Sequence, residues 1–227
     1  MQHIKHIFFD LDHTLWDFET NSEIAFKTIF NRHDIGVDID NFFNYYKDIN
    51  QQYWKLYREE KVSKDQLRYG RLKDTFVKIN TSVSDTLIDK LAIDYIEVLP
   101  LNNYLFDGAF EILDYLFPKY QLHIITNGFN EAQYNKIENS GLNKYFDKII
   151  TSEDVGVKKP NPLIFTKALE MVKTNSSESI MIGDNWEADI MGAKNMGFDV
   201  IFCNFNKQPV SGSIKSVSNL LEIKHYL

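Results

Sequence analysis

The sequence is poor in cysteine, in long apolar runs and in positive charge, and each shortage excludes a class of protein. Its single cysteine, Cys203, excludes a framework of internal disulfides and agrees with a reducing compartment. No apolar run approaches the roughly 20 residues that a membrane-spanning helix needs. The chain enters a predicted strand without a charged leader or an apolar signal core. We therefore expect a cytoplasmic protein that does not enter a membrane.

The balance of charge is acidic, with a formal net charge of −7 at pH 7. A chain of this sign lacks the positive footprint that a nucleic-acid polymer requires. If the substrate is an anion, the positive charge that meets it must be local, from a metal, a lysine or an arginine. The 227 residues, 44% of them hydrophobic, are enough for one large domain or for a core domain with an insertion.

Short apolar strands alternate with helices over most of the chain. Strands are predicted at 4–9, 121–125, 148–151, 179–182 and 200–203. Helices are predicted at 109–117, 131–140, 162–172, 188–196 and 218–225, the last with Ser218 as its N-cap. This alternation predicts an α/β fold, in which a Rossmann-like parallel sheet is flanked by helices on both faces.

Residues 17–99 follow a different pattern, because helical periodicity dominates there and no strand is convincing. We predict a core domain of residues 1–16 and 100–227, interrupted after its first strand by a helical domain, 17–99. The dense aromatic residues at 42–57 are expected to form the core of that domain. Arg68 and Arg71, on its third helix, are expected to be solvated, with Arg71 the candidate to reach a substrate.

Polar residues follow four of the five predicted strands. They are Asp10-Leu11-Asp12-His13-Thr14, Thr126-Asn127-Gly128, the stretch from Ser152 to Pro160, and the stretch from Gly183 to Asp189. In parallel α/β sheets the ligand binds outside the carboxyl ends of the strands. Because the fold brings these ends together, the sequence predicts that the four stretches form one site.

Two carboxylates at the end of the first strand suggest two different catalytic roles. Asp10 can attack phosphorus and form an aspartyl-phosphate, which splits a difficult hydrolysis into two steps. Asp12 can point the same way in an extended segment, protonate the leaving alkoxide and later deprotonate water. Two anions approach each other only with a hard dication, and Mg²⁺ suits oxygen ligands. Asp10, Asp184 and the backbone carbonyl of Asp12 are the predicted ligands.

Other polar residues are candidates to bind the phosphoryl group. Lys159 would neutralise one of its oxygens and fix Asp10, while the Thr126 hydroxyl and the Asn127 amide would hold other oxygens. Asp189 would contact the metal ligands without necessarily binding the metal itself, or it would anchor Lys159. Each acid taken alone is equally consistent with a turn residue or a helix cap, and only the convergence of the four stretches favours catalysis.

The segments DLDHT, ITN, KKP and GDNWEAD resemble, in this order and at these strand ends, the four motifs of the haloacid dehalogenase-like hydrolases. The resemblance covers essentially the whole chain. It implies that residues 17–99 are a cap that closes over the active site and sets specificity. The family spacing Gly-x-x-Lys-Pro selects Lys159 rather than Lys158 as the catalytic lysine. The resemblance also implies that an acid at the position of Asp12 distinguishes classes within the family. Phosphatases and phosphomutases have this acid, whereas dehalogenases lack it.

Within the family, four stretches are most similar to bacterial pyrimidine 5′-nucleotidases: DLDHTLWDF, ITNGF, SEDVGVKKPNPLIF and LRYGR. This resemblance implies hydrolysis of UMP, dUMP or dTMP to nucleoside and phosphate. A phosphoglycolate or sugar-phosphate phosphatase, a phosphomutase, a dehalogenase and a catalytically silent phosphate-binding module stay as alternatives. The expected partner is thus a small phosphorylated metabolite, and the expected assembly is a monomer or a weak dimer.

Overall fold

The computed structural model describes residues 1, 3–209 and 214–227. The chain divides into two compact units, one of Met1–Phe18 and Asn103–Leu227 and the other of Glu19–Asn102. The predicted bounds of the helical domain, 17 and 99, therefore lie two and three residues before the observed ones. Among the described residues, no helix has both the length and the apolar character that crossing a bilayer requires.

The larger unit contains a six-stranded parallel sheet, which confirms the predicted fold class. Its strands are β1 His6–Phe9, β2 Gln121–Thr126, β3 Phe146–Thr151, β4 Ser179–Gly183, β5 Asp199–Cys203 and β6 Lys215–Val217. The sequence analysis predicts the first five and misses β6. Three residues are too few to carry a periodic pattern.

The order of the strands is β3-β2-β1-β4-β5-β6, which places β1 in the middle of the sheet. Phe9 of β1 lies opposite Ile124 of β2 and Ile182 of β4. All four residues of β1 are buried, which explains its apolar sequence. The chain adds strands on one side of β1 and then on the other, and such a reversal point is where α/β sheets bind ligands. The carboxyl ends of β1 and β4 therefore mark the expected site.

The smaller unit is formed by four helices, α1 Phe18–Arg32, α2 Ile39–Arg58, α3 Lys64–Lys78 and α4 Asp85–Val98. Helix α3 begins with a capping box, in which Ser63 and Gln66 each accept a backbone hydrogen bond from the other. These two side chains satisfy amide groups that the first helical turn leaves without partners. The four helices confirm the helical periodicity of this part of the sequence.

Aromatic rings fill the interior of the helical unit. The Phe26 ring lies 5.1 Å from the Phe42 ring and 4.5 Å from the Tyr95 ring, measured between centroids. Phe43 and Tyr46 are buried as well. These aromatic residues of α2 thus belong to the core of the unit, as the sequence predicts.

Within the described part of the larger unit, five α-helices accompany the sheet: α5 Ala109–Leu116, α6 Asn130–Asn139, α7 Ser152–Val155, α8 Pro162–Val172 and α9 Gly192–Asn195. The helix predicted at 188–196 is wrong in form, because a π-helical turn, Trp186–Met191, precedes α9. In this turn the buried carboxylate of Asp189 accepts a hydrogen bond from the backbone N–H of Asn185.

The closing segment also differs from its prediction. It is a 3₁₀ helix, Leu220–His225, and its N-cap is Asn219 rather than Ser218. Asn219 Oδ1 accepts from the backbone N–H groups of Leu221 and Glu222, so the helix starts one residue later.

Two histidines lie side by side near the amino-terminal end of the sheet. Nδ1 of His6 and Nε2 of His123 are 3.1 Å apart, and the two rings stack with centroids 5.4 Å apart. Burial, together with the adjacent His6, lowers the pKa of His123 to about 4, and Asp147 opposes this shift only in part. Burial also lowers the pKa of His6. Both rings are therefore neutral at pH 7.

We expect this pair to make the fold sensitive to acid. Below about pH 6.5 the unfolded His123 takes up a proton, whereas the folded one does so only near pH 4. The free energy of unfolding therefore decreases as the pH falls through this window, by about 2 to 3 kcal/mol in total. Urea unfolding of the wild type and of His123→Leu between pH 7.5 and 4.5 measures this contribution. The difference between the two proteins should change with pH, and a constant difference would contradict the assignment.

Candidate active site

The ends of three strands bring the predicted polar residues together. Asp10 directly follows β1, Thr126 is the last residue of β2, and Asp184 directly follows β4. The backbone N–H of Asp10 donates to the carbonyl of Ile182, at 2.9 Å, which ties the end of β1 to β4. Side chains from neighbouring strands therefore meet at this edge, as the parallel topology requires.

Lys159 is the central cation of the site. It lies in the loop between α7 and α8, and its side chain is 2% exposed. Its Nζ donates to Asp10 Oδ1 at 2.5 Å and to the carbonyl oxygen of Ile125 at 2.6 Å. The same ammonium lies 2.7 Å from Asp189 Oδ1. One buried lysine thus joins the ends of β1 and β2 to the π-helical turn after β4.

Asn127 holds the backbone of this lysine. Its Oδ1 accepts from the Lys159 N–H at 2.8 Å, and its Nδ2 donates to the Lys159 carbonyl at 2.9 Å. The predicted role of Asn127 was to bind a phosphoryl oxygen, and its contact with the Lys159 backbone was not predicted. One N–H of the amide stays available for a ligand.

Asp184 and Asp189 lie beside Asp10. Oxygen atoms of the three carboxylates lie within 4.8 Å of one another. Asp184 Oδ1 accepts from the Thr14 hydroxyl at 3.3 Å. Asp189 packs against Gly183, where a Cβ atom would lie only 2.4 Å from its Oδ2. A residue without a side chain is therefore required at 183 for Asp189 to reach the site.

The site carries more negative than positive charge, because three carboxylates share one ammonium. Burial raises the pKa of Asp10 well above its ordinary value, although Lys159 opposes the shift. Burial and the neighbouring Asp189 raise the pKa of Asp184 to about 8. Burial by itself lowers the pKa of Lys159, but the carboxylates of Asp10 and Asp189 outweigh it and raise the pKa to about 12. The lysine is thus charged, and the carboxylates repel one another.

A divalent cation fits this group of residues. Oxygen donors at this spacing are the ligands that Mg²⁺ prefers, and the charge of the cation would relieve the repulsion between the carboxylates. Asp10 and Asp189 both pair with Lys159, so this pairing does not rank the three carboxylates as metal ligands.

Asp12 is held by two side chains of α6. Lys136 Nζ lies 2.6 Å from Asp12 Oδ1, and Gln133 Nε2 donates to Asp12 Oδ2 at 3.0 Å. Asp12 directly precedes His13, whose φ of 61° is left-handed. The two acids at the end of β1 therefore have different cations, Lys159 for Asp10 and Lys136 for Asp12.

Neither Gln133 nor Lys136 is among the predicted site residues, although the sequence contains a signal for them. Ala132 and Ile137 mark the buried face of α6, and helical spacing places Gln133 and Lys136 beside them. Polar residues inside the apolar stripe of a helix must find polar partners. Here these partners include Asp12.

Arg71 lies on α3 of the helical unit, and the prediction of a solvated side chain is wrong for it. The residue is 2% exposed. Its Nη1 donates to Asn50 Oδ1 at 2.9 Å, and its guanidinium lies 4.9 Å from the ring centroid of Tyr95 and 5.9 Å from that of Tyr46. Cation–π contacts with these two rings explain why an arginine is buried here. These partners are neutral, so they leave its charge uncompensated.

Known proteins resemble this chain along most of its length. It is 32% identical over 202 residues to the pyrimidine 5′-nucleotidase PynA of Streptococcus pneumoniae, a match that covers 88% of this chain and 84% of the relative. It is 31% identical over 228 residues to the pyrimidine 5′-nucleotidase YjjG of Escherichia coli, covering 97% and 96%. A glyceraldehyde 3-phosphate phosphatase of Methanothermobacter thermautotrophicus is 29% identical over 208 residues, covering 88% and 86%.

A solved structure and a family model also match this chain over most of its length. The crystal structure of the HAD-hydrolase YfnB of Bacillus subtilis, described as bound to magnesium, matches with a TM-score of 0.88 and 28% identity over 98% of both chains. Residues 4–197 match the family model described as haloacid dehalogenase-like hydrolase. This match spans all four motifs and both units, and the chain therefore belongs to the haloacid dehalogenase-like hydrolase family.

Proposed function

We propose that this hydrolase is a Mg²⁺-dependent phosphomonoesterase that acts through an aspartyl-phosphate on Asp10. The observation that carries the proposal is the pair of carboxylates at the end of β1, each bound by its own lysine. A nucleophile and a separate proton-transfer group are what phosphate ester hydrolysis needs. The relatives named as phosphatases and nucleotidases support the same chemistry.

In the first step, a carboxylate oxygen of Asp10 attacks phosphorus and the bond from phosphorus to the ester oxygen breaks. Asp12 gives its proton to the departing alkoxide, so the leaving group departs as an alcohol. Lys159 holds the attacking carboxylate and faces the charge of the phosphoryl group. The Thr126 hydroxyl donates to a phosphoryl oxygen.

In the second step, Asp12 takes a proton from water and the water oxygen attacks the phosphorus of the aspartyl-phosphate. The bond to Asp10 breaks, and the products are inorganic phosphate and the free carboxylate. Asp12 thus ends each cycle with the proton that it gave away in the first step. Asp10, Asp184 and the backbone carbonyl of Asp12 would hold the Mg²⁺, whose charge would reduce the repulsion between the nucleophile and the phosphoryl group.

We further propose that the substrate is a pyrimidine nucleoside 5′-monophosphate. Two relatives that match most of this chain are named pyrimidine 5′-nucleotidases. We propose Arg71 as a substrate-binding residue, because its buried charge has only neutral partners among the contacts described above. Its rigid fork of donors suits the carbonyl or phosphate oxygens of such a ligand. We keep a cytoplasmic location and a monomer or weak dimer as predictions, and subcellular fractionation and sedimentation would test them.

Replacing the nucleophile should abolish turnover without unfolding the protein. We expect Asp10→Asn to lower kcat by at least about a thousandfold, because the amide is nearly isosteric but a poor nucleophile. Phosphate release measures the loss, and thermal melting checks the fold. Asp89→Asn, at an exposed position of α4, is the matched control and should keep full activity. Retained turnover in Asp10→Asn would refute the assignment of the nucleophile.

Removing the metal should stop the reaction reversibly. We expect EDTA to abolish phosphate release and Mg²⁺ to restore it. Mg²⁺ should also raise the melting temperature of the wild type at pH 7.5, because it binds the folded state alone. Asp184→Asn should lose most of this thermal shift. Activity that is indifferent to EDTA would remove the dication from the mechanism.

A screen of phosphate release with Mg²⁺ tests the substrate. We expect kcat/KM for UMP, dUMP or dTMP to exceed that for phosphoglycolate and sugar phosphates by at least about tenfold, since each well-made polar contact to the base contributes about 1 kcal/mol or more. Arg71→Met should raise KM for the preferred nucleotide. A profile that prefers sugar phosphates would reject the nucleotidase and keep the phosphatase.

A sugar-phosphate phosphatase is the second candidate, supported by the relative named glyceraldehyde 3-phosphate phosphatase. A phosphomutase would have to protect the phosphoenzyme from water, and a dehalogenase would not need Asp12. Membership of a hydrolase family argues against a catalytically silent phosphate-binding module.

A further inference from the structure

We propose that Gln133 and Lys136 of α6 are positioning residues, which hold the acid–base group Asp12 and the phosphate-binding hydroxyl of Thr126 in their working orientations. The inference rests on the proposed function, because it takes Asp12 as the group that transfers protons. Neither residue touches the reacting atoms in this proposal. Both act through the side chains that they contact.

Gln133 connects the two working groups through a single nitrogen. Its Nε2 donates to Asp12 Oδ2 at 3.0 Å and to Thr126 Oγ1 at 2.7 Å, and the residue is fully buried. Both N–H groups of the amide are therefore used. The reverse orientation would place its oxygen against the Asp12 carboxylate, so that carboxylate selects which end of the amide faces it. One amide thus fixes the spacing between the proton-transfer group and the phosphate-binding group.

The same contact gives Thr126 a defined role. Its Oγ1 accepts from Gln133 Nε2 and from the backbone N–H of Gly128, the latter at 3.1 Å. A hydroxyl has two acceptor positions and one hydrogen. With both acceptor positions occupied, the hydroxyl hydrogen is left to donate. An anionic phosphoryl oxygen needs a donor of this kind.

The turn after β2 is shaped to admit this glutamine. A Cβ atom at Gly128 would lie 2.3 Å from Gln133 Cδ and 2.5 Å from Nε2. Real side chains do not approach so closely, so any residue other than glycine would displace Gln133. The glycine and the glutamine are therefore one structural unit.

Lys136 fixes the other oxygen of Asp12. Its side chain is only 3% exposed, and its Nζ lies 4.4 Å from the Trp16 ring centroid and 5.4 Å from that of Phe18. These rings restrict the ammonium to a position 2.6 Å from Asp12 Oδ1. A cation there stabilises the carboxylate that Asp12 becomes when it gives up its proton. The reaction therefore gains a proton donor whose charged product is already paired.

Two substrates separate this role from a merely structural one. An alkyl phosphate such as UMP releases an alkoxide that needs a proton, whereas p-nitrophenyl phosphate releases a phenolate that does not. We expect Lys136→Met, which keeps most of the length of the side chain and removes its charge, to lower kcat/KM for UMP by about tenfold to a hundredfold. The value for p-nitrophenyl phosphate should fall by less than about threefold.

Gln133→Met should lower kcat/KM for both substrates, because Thr126 serves both, with the larger loss for UMP. Gly128→Ala should reproduce this pattern by displacing Gln133. Lys136→Arg should recover most of the activity, and Asn135→Ala, on the exposed side of α6, should leave both substrates unchanged. Equal losses for the two substrates in Lys136→Met would overturn the positioning role. If Lys136→Met does not fold, as judged by thermal melting, Lys136→Gln replaces it in every comparison.

Asp12→Asn serves as the reference for the proposed function. If it lowers kcat/KM for UMP no more than kcat/KM for p-nitrophenyl phosphate, the assignment of Asp12 as the proton donor fails, whatever Lys136 does. If it discriminates between the substrates, the double variant Asp12→Asn with Lys136→Met decides the further inference. We expect no additional loss for UMP in the double variant, because the cation acts through the carboxylate. Fully additive losses would show that Lys136 supports the fold rather than Asp12.

Discussion

The site depends on a buried ion pair between Lys159 and the carboxylates of Asp10 and Asp189. An ammonium removed from water loses its charge unless anions compensate it. Here the two carboxylates hold the pKa of Lys159 at about 12. Asn127 fixes the backbone of the lysine, and the carbonyl of Ile125 takes one of its hydrogens. The segments that follow β1, β2 and β4 are therefore joined by one cation, and the nucleophile cannot move independently of them.

The pairing of charges also explains how two acids at one strand end can do different work. Burial and then the neighbouring carboxylates raise the pKa of Asp10, against the effect of Lys159, and the grouped carboxylates create a place for a dication. Asp12 points to α6 and pairs with Lys136 at the edge of the site. Its side chain stays 21% exposed, so water can reach it. Asp10 is thus surrounded by charged side chains, whereas Asp12 remains accessible to the solvent that supplies its proton.

The strand order brings these charged residues together at one edge of the sheet. Because β1 lies between β2 and β4, residues far apart in the chain, such as Asp10 and Lys159, meet at one edge of the sheet. At the other end of β1, the neutral pair of His6 and His123 occupies the buried interior. Polar groups thus occur at both ends of the central strands, and those at the carboxyl end include the cluster of Asp10, Asp184 and Asp189.

The sequence by itself determined the parallel sheet, the helical insertion and the positions of Asp10, Asp12, Lys159 and Asp184. These follow from strand periodicity and from motifs at strand ends, which are local properties of the chain. Only the tertiary structure decided that Gln133 and Lys136 face Asp12, that Asn127 holds the Lys159 backbone and that Arg71 is buried on tyrosine rings. The face of a helix that packs against a given loop depends on contacts between segments far apart in the chain. Hydrophobic periodicity shows which face is buried, but it does not show what that face contacts. For the same reason the π-helical turn at Asp189 was missed, because it serves a contact with Lys159, which lies 30 residues earlier in the chain.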